Sequence, residues 1–222
     1  MDRCLGGVTP AVRGLFHKRI RYPFGVLLRA DSARVRTRML AAARARVEAG
    51  DLELPMNAVA REAGVGVGTM YRHFAGRQAL LEALAADSFR QLIEQAVAAA
   101  REPDIAMGLA ALLRAALDRQ VADRALAAVL ASPMFETAGT PTFESAQTSE
   151  LLGELMAAAQ RVLDRARAEG VLRPDVTPDD MRRLTCGVQH AVRSGDDREA
   201  AVDRYLEILL QGLRPQKRAG SR

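Results

Sequence analysis

Strand signals are what this chain lacks. Alternating runs of β-branched residues, the mark of a half-buried strand, are missing from its 222 residues, and aromatics are few. Ala, Leu, Arg and Glu dominate instead, residues that lose little freedom in a helix. Apolar positions recur three and four apart. Val35, Met39, Ala42, Ala43 and Val47 fall on one face of a helix predicted over 34–49, with Ser32 as its N-cap and Gly50 as its stop. A chain with this rhythm is expected to be all-α.

Prolines and glycines punctuate the rest. A short helix is predicted at about 56–63 and a long one from Arg77 to Arg101, ended by Pro103. Helices follow at about 104–120 and 122–131, then a loop, SPMFETAGTPTF, over 132–143. A long helix over about 144–169 stops at Gly170. After LRPDVTP, Thr177 and Pro178 are the expected N-cap and first position of a helix near 178–193. The turn SGDD leads to a last helix near 198–213, and PQKRAGSR (215–222) reads as a frayed tail. There is no internal repeat.

Composition narrows the function classes. No run of 18 apolar residues is present, and PFGVLL is too short for a signal-peptide core. Cys4 and Cys186 give neither a disulfide framework nor metal spacing, which fits a reducing cytoplasm. His17, His73 and His190 are scattered. No nucleophile–base pair, metal cluster or cofactor loop supports an enzyme, and no cofactor is expected. Charge is more informative. Residues 1–77 hold 14 Arg or Lys against 6 Asp or Glu, whereas residues 78–222 hold 18 against 21. A basic first third points to an acidic partner there, nucleic acid above all, although a basic tail on an ordinary helical domain gives the same asymmetry.

The stretch AGVGVGTMYRHF (63–74) decides between these. A phosphate-cradling glycine loop needs a strand before it and Gly-Lys-Ser/Thr within it. MNAVAREA precedes it with Met56, Val59, Ala60 and Ala63 at helical spacing, so that reading fails. A helix-turn-helix uses the residues better. Ala60 lets two helices cross closely, Gly64 ends the first in a left-handed conformation, and Val65 and Met70 plug the space between. Gly68 clears an approach beside the donors Thr69, Tyr71, Arg72 and His73, which suit phosphates and base edges.

The run GVGVGTMYRHFAGRQAL (64–80) resembles the DNA-binding signature of the TetR family of transcriptional regulators, typically G-V-x-x-G-T-x-Y-x-H-F-x-x-K-x-x-L. The resemblance covers about residues 34–84. It implies an N-terminal helix-turn-helix head of three helices (31–76), joined by helix four to a helical ligand-binding and dimerisation body (77–214). It further implies a homodimer on a palindromic double-stranded DNA operator, usually a repressor released by a small-molecule effector. Residues 1–30 have no counterpart in the pattern. They are expected to be a disordered extension or basic arm, or the product of a mis-assigned start, with translation near Val26 to Leu28 favoured.

By the same resemblance, Thr69, Tyr71, His73 and Arg77 contact the DNA backbone or set the head's orientation, and Thr37 clamps phosphate with Arg34 and Arg38 beside it. Arg72 is the expected base reader, since arginine pairs bidentately with guanine. Val67 stands where many relatives have a polar residue and can touch a thymine methyl, so DNA shape is expected to carry more of the specificity. In the body, Phe89, Leu92, Met107, Leu113, Met134, Phe135, Leu155, Met156, Cys186 and His190 are the residues expected to line an effector cavity, against ordinary core packing. Leu184, Val188, Ala191 and Val192, then Val202, Tyr205, Leu206, Leu209 and Leu210, form two apolar stripes expected to meet a second copy. The rival readings are a helical interaction protein with a degenerate head and a non-specific DNA binder.

Overall fold

The computed structural model describes residues 24–132, 143–195 and 197–215, with side-chain environments from Asp31 onward. Among the described residues there are nine helices and no strand: α1 (Phe24–Glu48), α2 (Met56–Glu62), α3 (Val67–His73), α4 (Arg77–Arg101), α5 (Ile105–Ala122), α6 (Arg124–Leu130), α7 (Ala146–Ala168), α8 (Pro178–Arg193) and α9 (Arg198–Leu213). Most elements fall within two or three residues of their predicted bounds.

α1 is the exception. It begins ten residues early, and Ser32 lies inside it rather than capping it. Nothing between Val26 and Ser32 breaks a helix, and a serine cannot end one that helix formers continue upstream. Part of the expected extension is therefore helical, while residues 1–23 and 216–222 lie outside the described residues.

The first three helices close on a small core. Met39, Ala43 and Val47 of α1 meet Met56, Val59 and Ala60 of α2, Met70 of α3, and Leu54 and Phe74 from the connections. At the turn, Gly64 has φ +65°, and its neighbour's amide (Val65) donates to Ala60 O at 2.9 Å while its own donates to Arg61 O at 3.1 Å. That is the glycine helix stop expected from the sequence. Leu54 also sits at positive φ (45°), an uncommon state for a residue with a Cβ. Full burial and an Asx-type turn hold it there, with Asp51 Oδ1 accepting from the amides of Glu53 (3.1 Å) and Leu54 (3.3 Å). Arg46 then pins α1 to α2. Its Nε and Nη2 fork onto Glu62 at 3.0 and 2.9 Å, and its Nη1 reaches Asp51.

α4 runs from this head into the body, packing against α5, α6 and α7. Gly108 lets α5 cross the end of α4, since a Cβ there would stand 2.5 Å from Ala99 O. Arg165 of α7 caps the same end, donating to the carbonyls of Ala100 (3.3 Å), Glu102 and Pro103 (2.7 Å). At the other end α4 and α7 cap each other. Buried Glu82 accepts from the amides of Ser145 (3.0 Å) and Glu144 (3.3 Å), and Glu144 Oε2 accepts from the Ala79 amide at 3.1 Å. Thr177 and Asp180 form the capping box that starts α8, and Asp197 caps α9. α8 and α9 pack on α5 and on each other.

Candidate DNA-reading surface and body cavity

α3 presents one face to solvent. Val67 is 44% and Tyr71 52% exposed, Arg72 is exposed, and a Cβ on Gly68 would meet nothing within 4 Å. Thr69 is half-buried beside them and accepts from Arg72 Nη2 at 2.8 Å, which holds the guanidinium against the helix. His73 is half-buried with its ring tilted on Phe74, and Phe74 is core. Thr69, Tyr71 and Arg72 thus form one donor-bearing surface around an open glycine.

On α1, Arg34, Thr37 and Arg38 are exposed and share a face at three- and four-residue spacing. Thr37 Oγ1 donates to Ala33 O at 3.0 Å, Arg34 pairs with Asp31 at 3.2 Å, and Arg38 reaches toward Gly64 in the turn. Arg77 is different. It is half-buried, and its Nε donates to Leu52 O at 2.6 Å, so it ties the first residue of α4 to the head. Arg36 has a role that spacing did not signal. Its guanidinium lies 4.4 Å from the Phe74 ring centroid, and burial holds its pKa below the ordinary arginine value.

In the body, α4, α5, α7 and α8 line a mainly apolar, partly open cavity of about 70 Å³. Leu92, Leu113, Leu155 and Met156 lie on its wall, where the sequence had them. Met107 does not. It is 63% exposed, because the wall residues of α5 are Leu109, Leu112, Leu113, Ala116 and Gln120, and Met107 is turned about 200° from Leu109 at about 100° per residue. His190 is likewise exposed, about 140° around α8 from Thr185, which faces the cavity, so it is neither a buried nor a cavity histidine. Cys186 is half-buried off the wall, and burial pushes its thiol pKa up, away from a reactive thiolate. Phe89, one turn nearer the head than Leu92, is fully buried in the core rather than on the wall. Met134 and Phe135 lie outside the described residues.

One end of the cavity is polar. Thr185 Oγ1 donates to Arg182 O (2.9 Å) and accepts from Gln120 Nε2 (3.0 Å). Because the hydroxyl proton is already committed to a carbonyl, the amide must turn its nitrogen toward Thr185. Gln120 Oε1 is left buried on the cavity wall with no partner among the described residues. Arg182 lies alongside, its Nη1 on Leu130 O at 2.6 Å and its Nε on Asp179 at 2.8 Å. Helical register continued from Leu113 reaches Ala116 and Gln120, but nothing in the sequence pairs Gln120 with Thr185.

The expected dimer stripes divide. Leu184 and Ala191 are exposed, and Val188, Tyr205, Leu206 and Leu210 are half-buried. Val202 and Leu209 are buried within the protomer's own core, together with Val192. Ile208, which the reading missed, is 58% exposed.

A helix-turn-helix head carried on a long connecting helix, with a helical body that holds a cavity, defines a class: DNA-binding transcriptional regulators. Family comparisons give the membership. Residues 39–84 match the model of bacterial regulatory proteins of the TetR family, and residues 102–215 match that of the SbtR-like transcriptional regulator C-terminal domain. The chain belongs to the TetR family of transcriptional regulators and is not an enzyme. A TetR regulator from Streptomyces coelicolor is 30% identical, over 82% of this chain and 99% of that one, with a TM-score of 0.46. RolR in complex with resorcinol is 18% identical over 84% and 91%, with a TM-score of 0.56. FadR from Bacillus subtilis in complex with stearoyl-CoA is 19% identical over 80% and 98%, with a TM-score of 0.53. Among curated proteins none matches. Among the described residues no helix is long and apolar enough to cross a membrane.

Proposed function

We propose that the protein is a repressor that binds a palindromic operator as a homodimer and is released from it by a small molecule. The observation that carries the reading is the α3 surface: Thr69, Tyr71 and Arg72 offer donors around an open Gly68, on a helix whose opposite side is plugged by Met70. A buried corner has no use for exposed donors. In this reading Arg72 reads a base, Val67 touches a thymine methyl, and Thr37, Arg38, Tyr71 and His73 fix the register on phosphates. The exposed Leu184, Ala191 and Ile208, with Gly187 and Gly212 open beside them, support a second copy packed on α8 and α9.

The cavity supports effector release. At about 70 Å³ it is smaller than the cavity of about 150 Å³ that holds a benzene ring, so a ligand seated wholly within it has to spread its walls. Leu92 makes α4 one of those walls, and α4 is tied to the head through Arg77 and Leu52. Displacing α4 therefore tilts the head and changes the spacing of the two α3 helices, which must stand about 34–36 Å apart to fit successive half-sites. Gln120 Oε1 asks such a ligand for a hydrogen-bond donor on an otherwise apolar, compact frame.

The test is recovery of genomic DNA fragments by the purified protein at near-physiological salt, beside a Thr69→Ala/Arg72→Ala control. A short palindrome retained by wild type alone is the expected result, and uniform retention would leave a non-specific binder. Neutralising about 8 phosphates per dimer gives an expected slope near about −7 for log K against log salt, and a slope of about −2 would remove the α1 clamp.

A further inference from the structure

A second cleft, of about 520 Å³, opens where the end of α1 meets the body, and five arginines line it: Arg44 of α1, Arg119 of α5, Arg124 of α6, Arg193 of α8 and Arg198 of α9. Among the described residues only two carboxylates share the wall, Glu48 and Asp123. Asp123 is committed, accepting from the Ala125 and Leu126 amides at 2.9 and 3.1 Å and from the Ser88 hydroxyl at 2.5 Å.

None of the five guanidiniums makes an ion pair among the described residues. Arg44 has only a long bond, 3.5 Å, to Leu84 O. Elsewhere two arginines that reach across elements do find carboxylates, Arg46 at Glu62 and Arg114 at Asp203. Arg119, Arg124 and Arg193 are moreover half-buried. Burial, then the charges of Arg124 and Arg198, hold the Arg193 pKa below its ordinary value. Like charges gathered in a partly desolvated cleft repel one another at a cost that an anion would remove.

We propose that this cleft binds a small polyanion carrying phosphate or several carboxylate groups, and that the bound anion clamps the DNA-binding head to the body. Planar guanidiniums match the oxygens of both groups in a fork, and among the described residues five cations against two carboxylates leave the cleft an excess of three positive charges. The position suits a clamp. Arg44 comes from α1, and Arg124 Nη1 reaches within 3.6 Å of where a Cβ on Gly50 would lie, so α6 leans on the turn that ends α1. An anion held by Arg44 on one side and by Arg124 and Arg193 on the other bridges two parts that otherwise meet here with few polar bonds. Arg44 and Glu48 lie seven and eleven residues past Thr37, about 10–16 Å along α1 and toward the body, which favours a soluble anion over a phosphate of the DNA.

The probe is sodium pyrophosphate, titrated into the full-length protein by calorimetry and by thermal melting, with sodium chloride at matched ionic strength as the control. Wild type is expected to bind saturably and to melt higher with pyrophosphate but not with chloride. Arg124→Gln/Arg193→Gln should lose at least tenfold in affinity while its ligand-free melting temperature holds or rises, since repulsion has been removed. Arg119→Gln/Arg198→Gln repeats the test should the first pair fold poorly, and Arg173→Gln, at an arginine paired with Asp175 outside the cleft, should behave as wild type. Amide exchange over residues 46–54 should slow when pyrophosphate is bound. Equal effects of chloride and pyrophosphate would overturn the proposal, as would undiminished binding by both double variants. Absence of pyrophosphate binding, with weaker DNA binding by the variants, would make the cleft a DNA contact. Absence of binding by the dimer but not by monomers would make it a seat for the partner subunit's carboxylates.

Discussion

The head and the body treat their polar groups in opposite ways. In the head most half-buried arginines are answered by an oxygen within reach, Arg46 by Glu62 and Asp51 and Arg77 by Leu52 O, while Arg36 rests on the Phe74 ring and Asp51 accepts from the Leu54 amide. What is left over, on α3 and the face of Arg34, Thr37 and Arg38, points outward. The body instead buries polar side chains, among them Glu82, Gln120, Thr148 and Thr185, and leaves the acceptor Gln120 Oε1 unanswered among the described residues, beside a cavity. A surface that must fit DNA repeatedly needs a fixed shape. On the proposed function, a cavity that opens for a ligand needs a cost that the ligand can remove.

The largest effect expected from this contrast is at the reading surface. Thr69→Ala/Arg72→Ala should weaken operator binding at least about a hundredfold, since each lost contact is worth about 1–3 kcal/mol. Thermal unfolding should barely move, because both side chains lie outside the core. A matching fall in stability would mean that the face is structural and that the contrast with the body is misdrawn.

The contrast also explains what the sequence disclosed. The head is built from contacts close along the chain. Gly64 closes α2 on itself, Ala60 and Met70 sit ten residues apart, and the donors of α3 lie within four residues. Local pattern therefore sufficed for the turn and for the exposed face. In the body, helix ends were legible for the same reason, as with Thr177 and Pro178, but the polar ties were not. Glu82 reaches 63 residues to Ser145, and Gln120 reaches 65 to Thr185. No periodicity encodes such pairs. Met107 and His190 were misplaced because an apolar or titratable residue on a helix near a cavity has several faces to choose from, and register against a distant helix decides.

Glu82 should give the next largest effect. Glu82→Ala strips the Ser145 and Glu144 amides of their acceptor and should cost about 2–3 kcal/mol in urea unfolding. The carboxyl also carries a pH signature. Burial raises its pKa, with the Ser145 amide, the Gln78 side chain and the Glu144 amide pulling partly back. A folded-state value above the unfolded one means that its contribution is fully present below the ordinary glutamate value and is lost as pH rises through the raised one. Glu82→Gln should flatten the stability curve in that window, and an unchanged curve would show the group to be better solvated than its position implies.

Smaller again is the turn. Gly64→Ala places a Cβ in the left-handed region and should cost about 1–2 kcal/mol, read as a lower melting temperature of the head. A fall shared equally by head and body in amide exchange would mean that the two unfold as one unit, which blurs the distinction between them.

The smallest change expected in stability is at Gln120, and it is the sharpest test of the cavity. Replacing an unanswered buried acceptor by an apolar side chain of similar size removes a desolvation penalty, against the loss of one hydrogen bond to Thr185, which keeps its bond to Arg182 O. Gln120→Leu should therefore fold with a stability within about 1 kcal/mol of wild type, on either side. Its operator affinity should be unchanged, since the mutation touches neither α3 nor α1, while its release by a donor-bearing effector should be lost. A clear fall in stability would mean that Gln120 Oε1 is satisfied in solution, and the polar end of the cavity would then be part of the body's framework rather than a place kept open for a ligand.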